Sequence, residues 1–252
     1  LRHRRAEYGR RHCVAEEAAG EQPARTVNHW HADKHLTPPM NRRPRRSVSI
    51  GLLCDCFGEE MRVLIGCEYS GTVRDAFTRR GHYAMSCDLR DSEKPGHHYK
   101  GSVLDVLDDG WDMAIFHPPC TRLTNAGVRW LHQPPRGRTV AEMWAELEEA
   151  AAFYLALRNA PIPKKALENP VMHPHAHERV GKPSRFVVQP GWFGERAFKA
   201  TGFELIGLPP LVATNRMTPP RPGTEEHKRW SWIHRMPPGP HRERERSRTF
   251  PG

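Results

Sequence analysis

For the first sixty residues, hydrophobic and polar positions follow no regular period; then they fall into an alternating series of short elements. The stretch "MRVLIGCEYSG" opens that series. Arg62–Gly66 is a short apolar run that predicts a buried strand, closed by a glycine-bearing turn. Thr72–Arg80 carries Val73, Ala76 and Phe77 on one helical face, and Gly81 stands where a helix commonly ends. Tyr83–Asp88 predicts a second strand and Val103–Leu107 a short apolar piece. Asp112–His117 predicts a strand that runs into Pro118-Pro119-Cys120. The clearest helix is Ala141–Arg158, with Met143, Leu147, Ala150, Ala151, Tyr154 and Leu157 in one stripe before Pro161. Lys165–Leu167 predicts the next strand, ending in Glu168-Asn169-Pro170. Arg185–Gln189 and Phe203–Gly207 read as further strands in a less regular second half, and Leu211–Arg248 is rich in Pro and Arg. Strands alternating with helices predict an α/β fold, a mostly parallel sheet with helices on both faces. In such sheets ligands bind outside the carboxyl ends of the strands.

Charge changes this picture at the ends of the chain. The net charge is +10 over 252 residues. Residues 1–50 hold 11 Lys/Arg against 5 Asp/Glu, and residues 216–252 hold 9 against 4, so the middle is close to neutral. Basic flanks around a neutral core fit a polyanion gripped at its backbone, or are simply solvated tails. The expected organisation is a basic, disordered extension over 1–60 and one catalytic unit over 61–252, its 189–248 segment serving as a reduced recognition region. The chain stops at "RSRTFPG" with no closing helix, which predicts a unit cut short. Six scattered cysteines with no Cys-x-x-Cys pair predict reduced thiols in the cytoplasm rather than a disulfide or zinc framework. The longest apolar stretches are far below the roughly 18 residues of a membrane span, so no membrane partner is expected. A monomer is expected.

Three predicted strand ends share one rim and carry chemistry. The turn from Gly66 to Gly71 lies between the first strand and the first helix, a common seat for a nucleotide-like cofactor. It is neither a Gly-x-Gly-x-x-Gly nor a phosphate loop. Asp88, ending the second strand, is placed to accept hydrogen bonds from ribose hydroxyls, or is a surface turn residue. Together the two point to an adenosyl cofactor. Cys120 is either a small packed hydrophobe or a soft nucleophile activated by nearby Arg122 and Arg129. Glu168 ends the neighbouring strand; a carboxyl beside a thiol suits attack on an electron-poor ring, with the acid protonating a ring nitrogen. His173, His175 and His177 lack a carboxylate–cysteine set around them, and no metal is expected.

These motifs carry a resemblance. "PPC" after one strand and "ENP" after the next resemble the Pro-Cys and Glu-Asn-Val motifs of the DNA cytosine-5 methyltransferases, and "VLIGCEYSGTVRDAF" resembles their cofactor-binding motif. From Met61 onward the chain is more closely similar to a compact group of phage-encoded proteins described as DNA cytosine methyltransferases. The shared blocks include "HPPCTRLTNAGVRWL", "ENPVMH", "QPGWFG", "HRMPPGP" and "RSRTFPG". The resemblance implies a Rossmann-like methyltransferase fold, S-adenosylmethionine as cofactor and DNA as partner. It implies that Cys120 adds to carbon 6 of a flipped cytosine while Glu168 protonates nitrogen 3. It places Asp88 at the ribose and Glu68, Tyr69, Ser70 and Gly71 at the methionine end, with Gly66 and Pro118 completing the cofactor pocket. Pro119, Thr121, Asn125, Arg129 and Asn169 are the implied substrate-side residues. Ser102 falls where the family has a carboxylate against the adenine, and Pro170 replaces its Val. No Gln-x-Arg-x-Arg is present, so Arg196 and Lys199 stand as candidates for holding the base's carbonyl oxygen. The short second half implies short or relaxed sequence recognition. Trp192, Phe193, Trp230 and Trp232 in it either stack on bases or pack a small core. Two other functions remain open: a different pyrimidine-modifying enzyme, and a DNA-binding relative without catalysis.

Overall fold

The computed structural model describes residues 59–239 and 242–247. The expected extension over 1–60 lies almost entirely outside the described residues, as does the end of the chain. Within them, seven strands form one sheet: β1 (Arg62–Gly66), β2 (Tyr83–Asp88), β3 (His98–Lys100), β4 (Met113–Phe116), β5 (Lys164–Glu168), β6 (Phe186–Val188) and β7 (Thr201–Ile206). The helices are α1 (Thr72–Thr78), α2 (Val140–Asn159), α3 (Pro174–Val180), α4 (Glu225–Trp230), α5 (Trp232–Arg235) and α6 (Arg242–Ser247). The strand order is β3-β2-β1-β4-β5-β7-β6. The pairings from β3 to β5 are all parallel, so the ends of β1, β2, β4 and β5 share one rim. The strand β7 runs antiparallel to both β5 and β6. Among the described residues no helix is long and apolar enough to cross a membrane.

Strand alternation divides the core between the two faces. Val63, Ile65 and Ala84 point to one face and meet Val73 and Phe77 of α1. Leu64, Ala114, Phe116 and Leu167 point to the other, where Leu147, Tyr154 and Leu157 of α2 cover them. Each such side chain, fully buried, contributes about 1.5–3 kcal/mol. The helix α2 begins with a capping box: Thr139 Oγ1 accepts from the Glu142 amide at 3.2 Å and Glu142 Oε2 accepts from the Thr139 amide at 2.7 Å.

Several elements differ from the pattern reading. The helix α1 stops at Thr78, because the chain tightens so that Gly81 donates to the Thr78 carbonyl at 3.0 Å and His82 to that of Phe77 at 3.2 Å. The apolar piece Val103–Leu107, left without a type by the pattern, is a 3-10 turn over Val103–Val106. The strand β4 is shorter than expected because Asp112 spends its carboxylate on the Arg62 amide, 2.8 Å away. Its own amide bonds the Arg62 carbonyl at 2.9 Å. In the second half Trp230 is 3% exposed and packs with Phe198 at 5.4 Å between ring centroids. Trp192 lies under Arg216 at 4.8 Å, and Trp232 remains 41% exposed. Trp230 is therefore a core residue of a small satellite cluster.

Candidate functional site

A cavity of about 700 Å³ opens at the carboxyl ends of β1, β4 and β5. Its first wall is the turn after β1. Cys67 takes a left-handed backbone there, φ +59°, which turns the chain sharply off the strand. Glu68 follows and is 4% exposed. One carboxylate oxygen, Oε1, accepts from the Thr72 amide at 2.8 Å and from the Ser70 hydroxyl. It thereby caps the start of α1. The other oxygen, Oε2, is buried and has no hydrogen-bond partner among the described residues. A buried polar oxygen left so is costly unless a ligand completes it. Gly71 holds φ +68°, and a Cβ there would lie 2.5 Å from Arg74 Nη2.

The floor comes from β4. His117 donates its amide to the Gly66 carbonyl at 3.0 Å, which continues the ladder one residue past the strand. Pro118 and Pro119 then fix the chain direction, since neither can rejoin the ladder. Cys120 is exposed, and its carbonyl accepts from both Leu123 and Thr124 at 3.0 Å, closing a tight turn. Glu168, the last residue of β5, comes from the adjacent parallel strand. Its Oε2 lies 3.2 Å from His117 Nδ1. Burial pushes the Glu168 carboxyl up, but the His117 hydrogen bond, the His117 charge and Lys199 together hold it below the usual carboxylate range. Lys199 is pushed down chiefly by burial; Glu168 and Cys120 pull it upward, and Arg246 pushes it further down.

The cavity therefore brings together Glu68, Tyr69, Ser70, Pro118, Pro119, Cys120, Thr121, Glu168 and Lys199. The remaining expected residues do not line it. Gly66 is packed beneath, where a Cβ would meet Phe116 at 2.6 Å and Val103 at 2.7 Å. Asp88 is half-buried on the neighbouring strand end, accepting from the Arg90 amide at 3.0 Å, and its charge reaches Cys67. Ser102 caps the 3-10 turn through the Leu104 amide at 3.3 Å. Asn169 is 2% exposed and donates to the Ser184 carbonyl at 3.0 Å, an anchor for the loop before β6. Asn125, Arg129 and Arg196 are exposed outside the cavity. Arg122 donates to Glu146 at 2.6 Å and Arg129 stacks over Trp130 at 4.1 Å, so the cation coupled to Cys120 is Lys199 instead. The three histidines serve local structure: His173 caps α3, His175 packs edge-on to Trp144, and His177 bonds the Gly181 carbonyl.

Pattern reading missed His117, Glu93, Arg242 and Arg246, all in the cavity lining. A signal existed for His117, the residue directly before Pro118-Pro119-Cys120. A signal also existed for the arginines, spaced four apart in "RERER". No protein-family model matches the chain, and no curated protein sequence matches it. The chemistry of the cavity is thus read from its own residues: an exposed thiol, a carboxyl paired with an imidazole, and an ammonium.

Proposed function

We propose that the chain is a pyrimidine-modifying enzyme that works through a covalent thiol adduct. Its particular activity, on this reading, is that of a DNA cytosine-5 methyltransferase using S-adenosylmethionine, with the Rossmann-like fold of that class. The observation that carries the proposal is the cavity shared by Cys120 and Glu168 at adjacent strand ends. The order β3-β2-β1-β4-β5 agrees with it, because that order reverses direction between β1 and β4, where doubly wound folds hold their ligands.

The residues after β1 fit the cofactor. The buried, partnerless Oε2 of Glu68 suits the ammonium of a methionine moiety, and Tyr69 and Ser70 line the same end. When bound, the cofactor supplies a methyl group on a positively charged sulfur. The target cytosine is extruded from the stack into the cavity. The Cys120 sulfur forms a bond to carbon 6 as the thiol proton passes by way of the Glu168 carboxylate to nitrogen 3, so the ring's electron pair becomes available at carbon 5. His117, hydrogen-bonded to Glu168, holds that carboxyl in place. After methylation a base takes the carbon-5 proton, the Cys120–carbon 6 bond breaks, and the nitrogen-3 proton returns through Glu168 to the departing thiolate, which restores the ring.

Nucleoside mass spectrometry tests the proposal after incubation of DNA of many sequence contexts with cofactor and either the wild type or Cys120→Ala. Methylated cytosine formed only by the wild type is expected. Its absence from the wild-type reaction would sink the reading. Product on a free nucleotide would reassign the substrate, and DNA binding without product would leave a binding module.

A further inference from the structure

The cavity that holds Cys120 and Glu168 also carries cations in its lining. Arg242 and Arg246 lie four residues apart on α6, so they share one face of the helix, and both line the cavity with Lys199. Lys199 comes from the strap just before β7, far from α6 in sequence. Three positive side chains from two segments thus line one cavity, and Lys199 and Arg246 are close enough to act on each other. Like charges at that spacing on a helix repel one another, and Arg246 also pushes down the Lys199 ammonium. Arg242 Nε is buried and has no hydrogen-bond partner among the described residues, a guanidinium donor left unused. Glu68 caps the α1 end, and the Glu93 amide bonds the Tyr69 carbonyl at 2.8 Å. Glu168 is coupled to Lys199 and is also bonded to His117.

We propose that Lys199, Arg242 and Arg246 form a phosphate-binding site, which takes the backbone phosphate beside the base presented to Cys120. The chemistry suits an oxyanion with several acceptor oxygens. A guanidinium fork recognises phosphate through paired N–H groups, and a lysine adds a point charge. A bound phosphate relieves the repulsion between the three cations and gives the buried Nε its acceptor. It also fixes the sugar next to the reacting ring, so the thiol meets carbon 6 rather than another atom. The phosphate itself carries no sequence information, so this grip positions the strand without specifying it. The naming of DNA as source rests on the proposed function; the phosphate chemistry does not.

The test compares wild type, the double variant R242Q/R246Q and the charge-preserving R242K/R246K, all without cofactor. Binding of a fluorescent oligonucleotide of mixed sequence is followed by anisotropy across salt concentrations. The Gln pair is expected to lower the slope of log affinity against log salt by about 0.9, the release expected for one phosphate contact. Its affinity falls by a similar factor on every sequence, and the Lys pair keeps the slope, which excludes misfolding as the cause. In a second arm, deoxycytidine monophosphate is expected to bind wild type about tenfold tighter than deoxycytidine, with the difference erased in the Gln pair. Inorganic phosphate competes in the same arm. DNA binding with an unchanged slope, together with equal affinity for nucleotide and nucleoside, overturns the site while leaving the proposed function standing. An arginine-dependent preference for the nucleotide without DNA binding keeps the site and overturns DNA as its source. Failure of both arms overturns the site.

Discussion

His117 ties the Glu168 carboxyl to the end of β4. Against the upward push of burial, this pairing together with Lys199 holds the Glu168 carboxyl low. In H117Q only the Lys199 charge is left to oppose that burial, so the carboxyl is expected to move up. The expected result is a loss of about 10–100-fold in kcat, with the limb of the pH–rate profile that Glu168 sets displaced to higher pH. A pH–rate profile that stays in place would remove His117 from this role. The thiols give a second prediction. Cys67 is pushed up to about 12 by burial and then by Asp88, and Cys87 likewise to about 12 by burial and then by Cys67, Asp88 and Asp105. At pH 8, iodoacetamide is therefore expected to alkylate exposed Cys120 more than about tenfold faster than either, as read by peptide mass spectrometry. At this scale Cys120 and Glu168 were legible because each closes an apolar run at a strand end. The pairing of His117 with Glu168 was hidden because a residue just past a strand carries no mark of its neighbour until the register of β4 on β5 is known. Lys199 was read as a candidate to hold the base, but its coupling to Cys120 was not, since nothing local links a strap before β7 to a turn after β4.

The element that fixes the cofactor end is the β1–turn–α1 unit, and Arg74 is its bolt. The side chain is 1% exposed on α1, where a periodicity reading puts arginine in solvent. Its fork is fully used: Asp75 accepts from Nε at 3.0 Å and from Nη2 at 2.8 Å, and Ser86, Ser92 and the Pro95 carbonyl take the rest within 3.1 Å. Burial of arginine is tolerable only with such complete pairing, which sequence spacing cannot display. Gly71 sits against this group in a left-handed conformation, so G71A meets both backbone strain and a guanidinium that cannot retreat. The expected cost is about 1–2 kcal/mol, a fall of roughly 2–8 °C in Tm by calorimetry. A Tm within one degree of wild type would mean that Arg74 is freer than its bonds indicate. Most elements were legible from periodicity, above all α2. The ends of α1 and β4 were not, because local hydrogen bonds from Gly81 and Asp112 set them.

Across the whole molecule, two unequal clusters share a single sheet, since β1 contributes Leu64 to the large one and Val63 and Ile65 to the small one. They cannot melt independently while that strand stays in place. L147A, in the large cluster, is expected to cost about 2–5 kcal/mol, and V63A, in the small one, less. Both are expected to move the same calorimetric transition; a second, unshifted transition would show two separate units. The parallel half of the sheet follows the alternation of strand and helix and was visible in the sequence. The reversal at β7 was not, since a strand's direction depends on where the chain re-enters the sheet rather than on its residues.

The Arg74 network has a consequence for how such a cleft can change over generations. It fastens the 92–95 loop to α1 and β2, so the wall near Glu93 is tied to the sheet and is not altered without disturbing the core. Elsewhere the cleft is lined by Arg242 and Arg246 of α6 and by Lys199 of the strap before β7. Substitutions there leave both core clusters untouched. Selection can therefore exchange what the cleft holds while the thiol–carboxyl pair is inherited unaltered, and variation among descendants of this chain is expected to gather on the α6 side.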